Sequence, residues 1–153
     1  MPETRKKLAA QTWGSLLQVH ATLVPTLDRR LRDATGLPLT WYDVLLELAN
    51  ARDHRLTMTQ LGERAVLSRS RVSRVIDDLA AAGLVRRETH PDDARSAHAV
   101  LTDAGLARFS EAAPVYVSGI DELFAGALTV DELQRLRSLL RRVLDHHDGA
   151  LAR

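Results

Sequence analysis

Apolar residues return at three- and four-residue steps along most of the chain, the period of amphipathic helices. Trp13, Leu16, Leu17, His20, Leu23, Val24, Leu27 and Leu31 make one stripe of a long N-terminal helix. Pro25 lies inside that stripe. A proline removes a backbone donor and crowds the preceding turn, so a kink or split near Val24 is expected. "TGLP" (35–38) ends the run, with Gly36 suited to a left-handed cap. "LTWYDVLLELAN" opens a second helix, where Thr40 and Asp43 have capping-box spacing and Val44, Leu45 and Leu48 point inward. "RLTMTQLGERAV" restarts with Thr57 as N-cap and Gln60 three residues on, a short helix to about Ala65. Ser68 then caps a helix that runs to about Ala82 and stops at Gly83.

After Gly83 the period changes to two. "LVRRET" and "HAVLT" flank the turn-forming "HPDDARSA", which predicts a two-stranded hairpin. Thr102 caps the next helix, in which Pro114 should cause a second kink or break. A last helix begins at "TVDE", with Thr129 and Glu132 as a capping box. Leu133, Leu136, Leu139, Leu140, Val143 and Leu144 form its apolar stripe, and "DHHDGALAR" reads as a fraying tail.

Composition adds exclusions. At 45% hydrophobic and 27% charged the chain resembles an ordinary globular protein, and it has no cysteine, so disulfides and thiolate metal sites are ruled out. No apolar run reaches membrane-spanning length, and the N-terminus lacks a signal-peptide core, so the expected location is cytoplasmic, with no membrane partner. A net charge of +1 does not suggest nucleic acid, but its distribution does. Between Arg64 and Ile76 there are four arginines (Arg64, Arg69, Arg71, Arg74) and no acid; Asp77 and Asp78 follow at once. A local cationic patch on a near-neutral chain implies a positioned anion contact.

That patch falls on the helix of "LSRSRVSRVIDDL" (67–79). Val72, Val75, Ile76 and Leu79, at i, i+3, i+4 and i+7, give it a core face. Ser70, Ser73, Arg74 and Asp77 lie opposite, and Arg69 and Arg71 flank them near the start. Arginine is unfavourable at a helix N-terminus, where the backbone is already partly positive, by about 0.3–1 kcal/mol. Binding an anion would more than offset that. A short helix, a tight turn and this helix make a helix-turn-helix, whose second member presents its N-terminal residues to the DNA major groove. Arginine there can hold guanine by two hydrogen bonds, worth about 1–3 kcal/mol of discrimination. The hairpin that follows completes a winged helix, with Arg95 near its tip, where an arginine can enter a narrow minor groove. Asp92 or Asp93 could orient that guanidinium.

The order "LTWYDVLLEL … LTMTQLGERAVLSRSRVSRVIDDLAAAGLVRRETHPDDARSAHAVLTDAG" resembles the MarR family of transcriptional regulators, over about residues 39–105. Its most specific parts are "LSRSRVSRVIDDLAAAGLV" and "DDARSAHAVLT". The fold class implied is mainly α (α+β): a winged helix-turn-helix with a two-stranded β wing and a dimerisation region of N- and C-terminal helices. In that layout residues 1–36 form the N-terminal dimerisation helix, 37–104 the winged-helix DNA-binding domain and 105–153 the C-terminal dimerisation helices. The resemblance implies a homodimer on double-stranded DNA. Ser68, Arg69, Ser70, Arg71, Ser73 and Arg74 would meet the major groove, Arg95 the minor groove, and Asp93 would support Arg95. Val66 stands where many such turns carry glycine, and Pro25 departs from the pattern of the first helix.

Family members commonly bind small aromatic or anionic effectors, which makes Trp13, His20, Trp41 and Tyr42 the candidate effector residues. Simple core packing is the competing reading for the two aromatics of the second helix. His146 and His147 are adjacent and face different ways on a helix, and the remaining histidines are scattered, so no metal is expected. No nucleophile elbow, phosphate loop or zinc-protease motif is present, so neither an enzyme nor a cofactor is expected. The function expected is that of a sequence-specific regulator, a ligand-responsive repressor on a palindromic operator. A winged-helix protein-interaction module, docking "SRSRVSRV" on an acidic partner, remains the alternative.

Overall fold

The structure, a computed structural model, describes residues 4–65, 67, 69–90 and 93–151. Its elements run α1 (Arg5–Thr35), α2 (Leu39–Asn50), β1 (Arg55–Thr57), α3 (Met58–Arg64), α4 (Arg69–Ala81), β2 (Val85–His90), β3 (Asp93–Leu101), α5 (Asp103–Leu123) and α6 (Val130–Leu151). Single helical turns at Arg52–His54 and Ala125–Ala127 join neighbours. Helices dominate, and the small antiparallel sheet has the order β1-β3-β2. This is a winged helix-turn-helix of the mainly α class. β1 adds a third strand to the expected pair, with Leu56 opposite Ala99. At three residues it is too short for alternation to reveal.

Neither proline breaks its helix. α1 is continuous through Pro25 and α5 through Pro114, so the split or break allowed for at each does not occur. Both prolines are exposed, as are Ala21 and Ser110, the residues four positions before them. Water can therefore take the carbonyls that lost their donors, and each helix continues at the cost of one bond. α1 ends as expected on Gly36, which adopts φ 71° and donates its N–H to the Arg32 carbonyl at 2.7 Å.

The start of α2 differs from the expected Thr40 cap. The helix begins at Leu39, after Pro38, and Leu39 N–H donates to Asp28 Oδ1 of α1 at 2.8 Å. A side chain from another helix does the capping, something local sequence spacing cannot show. The other Asp28 oxygen accepts from Arg32 Nε at 2.9 Å. Arg108 of α5 donates to the Thr35 carbonyl at 2.7 Å, so the end of α1 is tied to both α2 and α5. The remaining described caps follow the sequence: Thr57 and Gln60 make a reciprocal box, Thr102 Oγ1 accepts from Gly105 N–H, and Thr129 pairs with Glu132. Ser68 and Val66 lie outside the described residues.

Leu31, Leu37, Leu45, Leu48, Leu61, Ile76, Leu79, Val44 and Val72 are fully buried, so one core joins the end of α1 to α2, α3 and α4. Ala99 and Leu101 of β3 and Leu84 and Val85 close it from the sheet side. Gly105 seats α5 against that core; a Cβ there would collide with the Leu84 carbonyl.

The chain divides into two compact units, one up to Val117 and one from Ser118. In the second, Phe124, Leu133, Leu136, Leu140 and Leu144 line an open groove of about 400 Å³, with Arg137 and Arg141 on it. Leu139, Val143 and Leu144 of α6 are exposed, and in the first unit so are Leu8, Trp13, Leu16, Leu17 and Val19 of α1. Among the described residues no helix is long and apolar enough to cross a membrane.

Candidate nucleic-acid interface

α4 is held from one side only. Val72, Ile76 and Leu79 are almost wholly buried and Val75 nearly so, which fixes the helix against α2 and α3. Burying four such side chains stabilises this seat by several kcal/mol, at about 1.5–3 each. Ser70, Arg71 and Arg74 are exposed on the other side, Ser73 is half-buried, and Asp77 and Asp78 are exposed one turn further on. The helix therefore presents two cationic and hydroxylated turns, followed by an acidic one. It is an ordered surface on a rigid base, with donors suited to phosphate oxygens and base edges.

β2 contributes a residue the sequence reading missed. Arg87 pairs with Ala99 across the sheet and so lies on its inward face. Its guanidinium crosses to α4, meeting Asp77 Oδ1 at 2.9 Å and making longer contacts to the Ser73 carbonyl (3.5 Å) and Ser73 Oγ (3.4 Å). The sequence did carry a signal: Val85 and Arg87 share a strand face, and an arginine at an inward strand position needs a partner. On the outer face, Glu88 bridges Arg86 (2.9 Å) and Arg55 (3.1 Å). The hydrogen bond from Arg86, helped by Arg55 and His98, holds the Glu88 carboxyl below its usual range. These are exposed pairs, of small energetic value.

The backbone hairpin extends to the His90–Asp93 pair, which puts Asp93 and Arg95 at the far end of β3. The side chains of Arg69, Asp93 and Arg95, with Ser68 and Asp92 entire, lie outside what the structure describes. Ser70, Arg71, Ser73 and Arg74 are brought together on the first turns of α4.

The four effector candidates occupy three settings. Trp13 and His20 sit on the exposed part of α1, and Trp41 is half-buried against the core. Tyr42 is buried, its ring 5.4 Å from Phe109 and 4.7 Å from Tyr116 of α5. Next to it, burial and then the nearby Glu47 carboxylate push Asp43 up to about 6. Burial, and secondarily the Asp43 charge, raise the hydroxyl pKa values of Tyr42 and Tyr116. Among the described residues no three His, Asp or Glu side chains are grouped to hold a metal ion.

Known proteins share this fold. The MarR family model matches residues 35–96, from the end of α1 into the wing. The uncharacterized HTH-type transcriptional regulator YkoM of Bacillus subtilis is 35% identical over 109 residues, covering 71% of this chain and 70% of YkoM. The chain belongs to the MarR family of transcriptional regulators. The likeness of this MarR protein to solved structures extends over nearly its whole length. Sco3205 of Streptomyces coelicolor, a MarR family transcriptional regulator solved in complex with DNA, superposes with a TM-score of 0.81 at 32% identity, covering 94% of this chain and 92% of Sco3205. The transcriptional repressor YetL of B. subtilis is 34% identical over 85 residues, 56% of this chain, and that match spans only 51% of YetL.

Proposed function

We propose that this MarR-family regulator binds double-stranded DNA sequence-specifically as a homodimer, with the N-terminal half of α4 in the major groove. The observation that carries this reading is the cationic, hydroxylated face of α4 on a fully packed base. Ser68, Arg69, Ser70, Arg71, Ser73 and Arg74 make the major-groove surface, Arg74 and Arg71 being the candidate base readers. Arg95 enters the minor groove from the wing, oriented by Asp93. The DNA complex of Sco3205, of the same fold at 32% identity, supports the assignment.

The exposed apolar stripes of α1 and α6 are the surfaces through which two copies join, in line with dimerisation roles for residues 1–36 and 105–153. Contiguous apolar faces of this kind mark partner surfaces. Two-fold symmetry then calls for a palindromic site with half-sites about 10 bp apart or a multiple of that. The protein works in the cytoplasm as a repressor that releases DNA when a small aromatic or anionic effector binds. Trp41 and Tyr42, with Trp13 and His20, are the residues proposed to meet that effector.

Selection of bound sequences from a randomised duplex pool, with a salt titration on the winner, tests the reading. Enrichment of a palindrome, and an affinity falling log-linearly with salt by about 0.9 log units per phosphate neutralised, is the expected result. An unenriched pool with a shallow salt slope overturns it and favours a protein-docking module.

A further inference from the structure

Arg87 joins the wing to the reading helix at a point where the chemistry of α4 changes sign. Ser73 and Asp77 are four residues apart, one helical turn, and the Arg87 guanidinium spans them from β2. We propose that Arg87 is a positioning residue for DNA recognition: it masks the Asp77 charge and orients the Ser73 hydroxyl so that its hydrogen points away from the wing, toward the DNA. The inference rests on the assignment of α4 to the major groove.

Both halves follow from simple chemistry. A serine hydroxyl has one hydrogen to give and lone pairs to accept with. Ser73 Oγ accepts a long contact from Arg87 (3.4 Å), which occupies one lone pair and turns the hydroxyl hydrogen away from the guanidinium. Purine N7, guanine O6, thymine O4 and phosphate oxygens are all acceptors, and a serine oriented to donate favours them over the amino groups of adenine and cytosine. Asp77 is exposed on the same face, one turn after Arg74. Unpaired, its carboxylate would face the phosphate backbone as a like charge, and the 2.9 Å ion pair cancels it. One guanidinium nitrogen, Nη2, serves both tasks: it lies 2.9 Å from Asp77 Oδ1 and 3.4 Å from Ser73 Oγ.

The test compares base preference on one randomised pool for wild type, Ser73→Ala, Arg87→Gln, Arg87→Lys and Arg87→Gln with Ser73→Ala, alongside the melting temperature of each. Arg87→Gln should relax the base position that Ser73→Ala relaxes, with specific affinity down about tenfold, the loss of roughly one base contact. The double variant should relax that position no further. Arg87→Lys keeps the charge on a shorter side chain that no longer reaches both groups, and should relax the same position with a smaller affinity loss. Adding Asp77→Asn to Arg87→Gln should recover affinity without recovering base preference, a split that a purely structural role would not produce. An unchanged preference, or a uniform weakening at every position that tracks the melting temperature, overturns the proposal. If wild type itself enriches no sequence, the assignment of α4 fails first and the inference falls with it.

Discussion

Leu79 and Leu144 are the same residue on the apolar face of an amphipathic helix, yet the first is fully buried and the second is 56% exposed. The difference separates two parts of the molecule. In the winged unit the stripes of α2, α3 and α4 find each other, and Ala99 and Leu101 of β3 and the end of α1 close the core. On α6, and on the first turns of α1, the stripes are just as regular but largely uncovered. A periodic pattern thus states that a face is to be buried, without saying in what. The winged unit completes itself, and the flanking stripes call for a partner, which we take to be a second copy.

The contrast can be broken from either side. Ile76→Ala, which removes three carbons from a packed site, should destabilise the protein by about 2–5 kcal/mol in denaturant unfolding. A loss near zero would mean that α4 is not seated as described. Leu144→Asp should instead leave the unfolding of the winged unit unchanged while weakening self-association by about 2 kcal/mol or more, read by sedimentation across a concentration series. If wild type sediments as one chain at all concentrations, the flanks have another role.

A smaller effect sharpens the comparison within the winged unit. Burial holds Asp43 at about 6, against an ordinary 3.8. Its folded-state pKa is raised, so the folded protein binds the extra proton between those values, and stability should fall as pH rises from about 4 to 6. Above that window the charged carboxylate is a standing penalty. Discounted for its partial exposure, the penalty is roughly 1–2 kcal/mol. Asp43→Asn should remove both the penalty and this part of the pH slope in thermal melts from pH 4 to 7; an undiminished slope would assign it to other groups.

Much of this was legible in the chain because the signals are local. Capping at Thr57, Thr102 and Thr129, the left-handed cap at Gly36 and the buried face of α4 all depend on residues within a few positions. What was hidden depends on partners brought together by folding. Asp28 caps α2 from another helix, β1 exists because β3 offers it an edge, and Arg87 matters because Ser73 and Asp77 lie beneath it. That the helices run on through both prolines was hidden for a related reason: the cost of a proline depends on whether water reaches the freed carbonyl, and exposure is a property of the fold. For the candidate interface, the outward set Ser70, Arg71, Ser73 and Arg74 was visible from helical spacing alone, whereas its support from the wing was not.

The central claim is that the exposed face of α4 reads bases, and parallel selection from one randomised pool with wild type and Arg74→Ala tests it most directly. Wild type should enrich a palindrome with half-sites about 10 bp apart or a multiple of that, and Arg74→Ala should lose preference at one position in each half-site, a discrimination of about 1–3 kcal/mol. Identical motifs from the two proteins would contradict the account.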